Sequence, residues 1–125
     1  MIRLLLVDDQ PSVRCGLRMW FALQPDIAVV GEAGNGAEAL DLARHLRPDV
    51  VVMDVEMPGF DGLSSTERLR LDRPESAVVV LTLHDNGEAR ARAQAAGASA
   101  FVSKHETADA LLAAIRAAAA TRPRA

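Results

Sequence analysis

The sequence predicts a doubly wound α/β fold: a three-layer αβα sandwich around a five-stranded parallel sheet in the order 2-1-3-4-5. Three observations predict it. Five short apolar runs recur along the 125 residues: Arg3–Val7, Ile27–Ala33, Val50–Asp54, Ala77–Thr82 and Ala100–Val102. Most are rich in Val, Ile or Leu and are bounded by turn residues, as strands buried on both faces are. Stretches of helical spacing separate them, and short connections with right-handed crossovers then place helices on both faces of the sheet.

The helices follow in order. Val13, Leu17, Phe21 and Gln24 share a helical spacing, with Trp20 beside them and Arg14 and Arg18 on another face. A second helix starts at Asn35, a good N-cap, with Glu38 three residues on as in a capping box. It runs through Leu40, Leu42, Ala43 and Leu46 and stops before Pro48. A third begins after Asp61-Gly62 and stops before Pro74. The fourth, alanine-rich, extends from about Gly87 to Ala96, with Gly97 as a left-handed stop. The last puts Leu111, Leu112 and Ile115 on one face and continues into Ala117–Ala120. Residues 1–120 are read as one domain, and 121–125 as the start of a linker or a frayed end.

Composition narrows the function. A formal net charge of −3 argues against this segment gripping DNA by itself, which calls for a basic patch. The single cysteine, Cys15, forms no internal disulfide and fits a reducing compartment. The run Leu4–Val7 is broken by Asp8 and Asp9, far too short for a membrane span or a signal-peptide core. The expected location is the cytoplasm.

In this fold, ligands bind at the carboxyl ends of the strands beside the switch point. The first strand ends in Asp8-Asp9, the third in Asp54 and the fourth in Thr82, and the fifth is followed by Ser103-Lys104. These four strands are neighbours in the expected order, so three carboxylates, a hydroxyl and an ammonium share one rim. Two carboxylates ~5 Å apart repel by about 3 kcal/mol at an effective dielectric near ~20. A proton or a cation must relieve this. Mg²⁺ suits oxygen ligands and keeps several waters. Calcium wants more protein oxygens, and His45, His84 and His105 lack the close spacing zinc needs. Such a site also suits phosphate: the metal and Lys104 neutralise its oxygens, Thr82 donates to one, and one carboxylate serves as nucleophile. Each residue alone has a plainer reading, as a helix cap, a solvated lysine or an ordinary strand residue. The joint placement carries the weight.

These residues resemble the receiver domain of bacterial two-component response regulators, over about residues 2 to 120. The matching segments are Leu-Leu-Val-Asp-Asp (5–9), Val-Met-Asp-Val-Glu-Met-Pro-Gly-Phe-Asp-Gly (52–62), Val-Leu-Thr (80–82), Ala-Gly-Ala (96–98) and Phe-Val-Ser-Lys (101–104). The resemblance implies a flavodoxin-like receiver fold with Asp54 as phospho-acceptor. It implies Asp9 as a direct Mg²⁺ ligand, Asp8 acting mainly through metal-bound water, and Glu56 ligating through its backbone carbonyl. Lys104 is the implied phosphoryl-contacting lysine, and Thr82 and Phe101 the hydroxyl–aromatic switch pair. A plain core aromatic at Phe101 would not move. Met57-Pro58-Gly59 fits a turn after the acceptor, with Pro presetting φ and Gly allowing positive φ. The implied activity is a signalling switch, not a free-standing metabolic enzyme. A sensor histidine kinase supplies the phosphoryl group, and the surface of helix 4, strand 5 and helix 5 changes. Homodimerisation on phosphorylation is open.

Three positions depart from the commonest receiver pattern. His105 follows Lys104, where many receivers carry a cis proline. A non-proline cis bond costs about 2.5–4 kcal/mol, so the geometry of this bond is open. Glu56 adds a carboxylate beside the metal, and His84 lies two residues after Thr82. Glu56 and His84 are candidates for tuning dephosphorylation. The alternative is that both point into solvent, and an unchanged phosphoryl lifetime in the double alanine variant would favour it. The stretches 24–33 and 113–116 resemble the subclass in which a helix-turn-helix DNA-binding domain follows the receiver. DNA is then reached only through that effector domain, and the chain is either cut from a longer protein or a stand-alone receiver. Three other readings stay open. A phosphatase with an aspartyl phosphate wants a second aspartate where Glu56 stands, and a flavin carrier wants a hydroxyl-rich loop where Asp8-Asp9-Gln10-Pro11 stands. A degenerate receiver would lack a member of the site.

Overall fold

The computed structural model describes residues 1–57, 60–84 and 86–121. Pro58 and Gly59, on which the expected turn rests, and 122–125 of the expected tail lie outside the described residues.

The five apolar runs form one parallel sheet from β1 (Ile2–Val7), β2 (Ile27–Ala33), β3 (Val50–Asp54), β4 (Ala77–Thr82) and β5 (Ala100–Ser103). Their order is β2-β1-β3-β4-β5, as expected. The helices are α1 (Pro11–Phe21), α2 (Gly36–Leu46), α3 (Gly62–Asp72), α4 (Gly87–Ala95) and α5 (Ala108–Thr121).

Side chains alternate across each strand, and the alternation divides the core in two. Leu4, Leu6, Val50, Val52 and Val79 pack on one face with Phe21 of α1 and Leu111, Leu112 and Ile115 of α5. Leu5, Val7, Val51, Met53, Val78 and Val80 pack on the other with Ala39, Ala43, Leu69 and Ala93 of α2, α3 and α4. Each fully buried Leu, Ile or Val contributes about 1.5–3 kcal/mol. The three inner strands β1, β3 and β4 bury nearly every residue. The edge strand β2 does not: only Ile27 and Ala33 are buried. Its apolar composition reads like the others, but an edge strand has one neighbour instead of two.

Local signals set most element ends. Asn35 Oδ1 accepts from the Glu38 N–H at 2.9 Å, as expected of the cap. The reciprocal arm differs from a standard capping box: Glu38 Oε1 accepts from the Gly34 N–H at 3.2 Å and from the Asn35 side-chain amide at 3.1 Å. Gly97 has φ +96° and stops α4 as the sequence indicates. Two ends differ from expectation. Gln24 lies past the end of α1, in the turn that leads to β2. Arg47 caps α2 in the left-handed region at φ 49°, a conformation its identity does not announce. A short antiparallel hairpin, Glu56–Met57 with Phe60–Asp61, follows β3. Two residues per strand are too few to leave an alternating pattern. No helix is long and apolar enough to cross a membrane among the described residues.

Candidate functional site

The C-terminal ends of β1, β3, β4 and β5 form one rim, because parallel strands all point the same way. It brings together Asp8, Asp9, Asp54, Thr82 and Lys104, all expected there. Asp8, Asp9 and Asp54 each offer a carboxylate oxygen, and these atoms lie within 4.8 Å of one another. Asp8, Asp54 and Thr82 are buried.

The acid pair after β1 is held by backbone. Asp8 Oδ1 accepts from the Gln10 N–H at 2.9 Å, and an Arg14 guanidinium N–H donates to the Asp8 carbonyl. Burial pushes the Asp8 carboxyl above its ordinary pKa, the Gln10 N–H opposes this, and the charge of Asp54 reinforces it. Asp54 Oδ1 accepts from the Glu56 N–H at 2.9 Å and pairs with Lys104 Nζ at 2.8 Å. Burial pulls the Lys104 ammonium down. The hydrogen bond and charge of Asp54, with Glu56 and Asp8 behind it, outweigh that and hold its pKa above the usual lysine value.

The donor set fits a hard divalent cation. Asp9 Oδ1 is buried without a hydrogen-bond partner. A buried polar atom left unsatisfied costs about 1–3 kcal/mol, more for a charged group. Lys104 alone does not balance three carboxylates, and an oxygen-seeking ion between them would.

Glu56 is where the structure adds most. Its carboxylate is not turned to solvent. Thr82 Oγ1 donates to Glu56 Oε2 at 2.6 Å, the Leu83 N–H donates to Oε1 at 2.7 Å, and Lys104 Nζ lies 3.5 Å from Oε1. Thr82 Oγ1 also accepts from the His84 N–H at 3.0 Å. His84 itself is exposed. It lines, with Glu56, Thr82, Arg92 and Phe101, a crevice of about 470 Å³ between the strand ends and α4. Phe101 is partly buried beneath this crevice, with the Arg90 guanidinium 4.7 Å from its ring centroid.

The peptide bond between Lys104 and His105 is trans, which answers the question their sequence raised. A side-chain net holds the loop instead. Glu106 Oε2 accepts from the Ser103 N–H at 2.8 Å, and Ser103 Oγ accepts from the His105 N–H at 3.1 Å. The sequence marks Ser103 only as the neighbour of Lys104 and gives Glu106 no role, although their i,i+3 spacing is a readable signal of such a turn. A second crevice, about 390 Å³, opens beside Asp54 and Lys104 against Trp20 of α1 and Leu111 of α5.

Comparison with known proteins gives this geometry relatives. A model of the response regulator receiver domain family matches residues 4–116. The chain is similar to the transcriptional regulatory protein LiaR of Bacillus subtilis (strain 168), at 39% identity over 124 residues, covering 99% of this chain and 59% of the relative. It is 37% identical over 117 residues to the nitrate/nitrite response regulator protein NarL of Escherichia coli (strain K12), covering 94% and 54%. Among solved structures, a two-component response regulator of the LuxR family from Aurantimonas sp. SI85-9A1 superposes with a TM-score of 0.92 at 38% identity, covering 98% of this chain and 87% of that one. The chain spans a little over half the length of the curated relatives it matches.

Proposed function

Because the chain belongs to the response regulator receiver domain family, we propose that it is a Mg²⁺-dependent phosphorylation switch whose acceptor is Asp54. The observation that carries this reading is the placement of Asp54. Its buried carboxylate lies within 4.8 Å of those of Asp8 and Asp9 and 2.8 Å from Lys104 Nζ. The metal would be held by Asp9 directly, by Asp8 mainly through bound water, by Asp54, and by the backbone carbonyl of Glu56. When bound it supplies charge neutralisation for the phosphoryl oxygens.

The chain's own residues do the rest. A phosphohistidine of a sensor histidine kinase is the donor. An Asp54 oxygen forms a bond to phosphorus, the phosphorus–nitrogen bond breaks, and the imidazole leaves and is protonated. Lys104 balances the negative charge that Asp54 acquires, and Thr82 donates its hydroxyl hydrogen to a phosphoryl oxygen. Drawing Thr82 towards Asp54 vacates space beside the crevice above Phe101. The ring then follows, and the face of α4, β5 and α5 shifts population between two states. His84, at the mouth of that crevice, tunes the approach of water to the acyl phosphate. Residues 1–120 form the receiver, in the cytoplasm, and DNA is reached not by the receiver itself but only through a helix-turn-helix effector domain. Transcription control through that domain is supported by the LiaR and NarL relatives.

The test is direct. The protein is incubated with acetyl phosphate and Mg²⁺, and its intact mass should rise by one phosphoryl group. Asp54→Asn should abolish the gain, and so should chelation of the metal. No gain in the unmodified protein with Mg²⁺ present refutes the proposal.

A further inference from the structure

We infer that the Glu56 side chain is an internal stand-in for the phosphoryl group, a latch that occupies its donors until phosphorylation evicts it. The inference rests on the acceptor reading above. Three donors converge on the Glu56 side chain: the Thr82 hydroxyl, the Leu83 N–H and the Lys104 ammonium, which also meets Asp54. All three are engaged by the one carboxylate of Glu56, at 2.6, 2.7 and 3.5 Å. A hydroxyl has a single hydrogen to give. Thr82 gives its hydrogen to Glu56 and accepts from the His84 N–H, so none is left for a phosphoryl oxygen. A planar carboxylate with two oxygens spans these donors much as two oxygens of a phosphoryl group would.

The latch can open without moving the main chain. The Glu56 N–H holds Asp54 Oδ1 at 2.9 Å, so the backbone stays anchored to the acceptor while the side chain rotates. Its side chain is 21% exposed, which leaves a path to solvent. Charge decides the direction of exchange. A phosphoryl group carries about −1.5 to −2 against −1 for the carboxylate, so once attached it wins Lys104 and Thr82. Before attachment Lys104 is shared between Asp54 at 2.8 Å and Glu56 at 3.5 Å, while the Thr82 hydroxyl and the Leu83 N–H go to the Glu56 carboxylate. Glu56 is therefore a positioning residue. It keeps Thr82 and Lys104 ordered in the resting state and slows transfer from a donor that must displace it.

The test compares the unmodified chain with Glu56→Ala and Glu56→Gln. Gln keeps the shape but offers only one acceptor atom. Without any donor, the Leu83 amide proton should lie downfield in the unmodified chain and move upfield in Glu56→Ala. With acetyl phosphate and Mg²⁺, an Asp54 oxygen–phosphorus bond forms as the phosphorus–oxygen bond to acetate breaks and acetate leaves. The initial rate in Glu56→Ala should rise about tenfold, the scale of one lost charge-assisted hydrogen bond. Glu56→Gln should fall between the two. An unmoved Leu83 amide overturns the latch, as does a rate in Glu56→Ala equal to or below that of the unmodified chain. A gain that disappears at high ionic strength traces to simple repulsion of the anionic donor and also overturns it. If the amide moves but no form gains mass, the acceptor reading fails instead.

Discussion

Lys104 Nζ sits 2.8 Å from Asp54 Oδ1, with the carboxylate side chain 4% exposed and the lysine side chain 26% exposed. The two residues come from β3 and from the loop after β5, on strands separated in the sheet by β4. Lysine reaches across that strand with its long stem while its ammonium meets the buried charge. On the proposed reading, a phosphoryl group on Asp54 would take over this contact.

Removing the ammonium should therefore affect both stability and chemistry. Lys104→Ala is expected to cost about 1–3 kcal/mol in urea unfolding, less than a fully buried pair because the lysine is partly solvated. Its rate of phosphorylation by acetyl phosphate should fall at least about tenfold, the scale of one charge-assisted bond. Unchanged rates would mean that Lys104 only fills the rim.

Asp8 predicts how Mg²⁺ and pH interact. Its folded pKa is raised, chiefly by burial. The native state thus holds this proton more readily than the unfolded chain. Its favourable contribution is fully present below the ordinary carboxylate value of 3.8 and is lost as pH rises through the raised folded value. Mg²⁺ should replace the proton's role at neutral pH. Saturating metal, at ~100 times its dissociation constant, should raise stability by about 2.7 kcal/mol, and this gain should shrink as acid protonates the cluster. Asp8→Asn keeps an oxygen for the Gln10 N–H, so it should raise the metal-free Tm and blunt the Mg²⁺ response. Thermal melts with and without metal at several pH values check both.

The pair of Arg116 and Asp26 has the opposite sign. Arg116 Nε and Nη2 meet the two Asp26 oxygens at 2.8 and 2.9 Å, tying α5 to the start of β2. The hydrogen bond from Arg116 holds the Asp26 carboxyl below its ordinary pKa. Its contribution is present above the ordinary value and is lost as pH falls through the depressed folded one. Arg116→Ala should lower Tm slightly at neutral pH and low salt. The gap should close in acid and in high salt, since the pair is exposed and screened.

Glu106 tests the loop that presents Lys104. Glu106→Ala leaves the Ser103 N–H without its acceptor and should cost about 0.5–1.5 kcal/mol. Phosphorylation should slow while Mg²⁺ affinity, read by Trp20 fluorescence or calorimetry, stays unchanged. An equal loss in both would mean general unfolding of the rim.

The architecture was legible because periodicity is a local property. Each inner strand declares itself by unbroken apolar runs, and Asn35 and Gly97 announce a helix start and stop. The expected strand order alone puts Asp8, Asp9, Asp54, Thr82 and Lys104 on one rim, since parallel neighbours share their carboxyl ends. Arg47 was not legible, because a left-handed arginine depends on the chain around it. Nor was the partial burial of β2, whose apolar composition matches that of the inner strands although only Ile27 and Ala33 are buried.

By itself, then, the sequence determined the sheet, its order and the membership of the rim. The sheet follows from hydrophobic spacing and the handedness of short connections, and its order is one of the common solutions for such a fold. Only the tertiary structure decided how the rim's donors and acceptors are shared. Glu56 is one carboxylate in a row of residues until β4 and the loop after β5 bring Thr82, Leu83 and Lys104 to its two oxygens. Asp9 is one acid of a pair until packing strips water from its Oδ1 and leaves it without a partner. Hydrogen bonds need ångström-scale placement across distant segments, and a pattern along the chain does not carry that information.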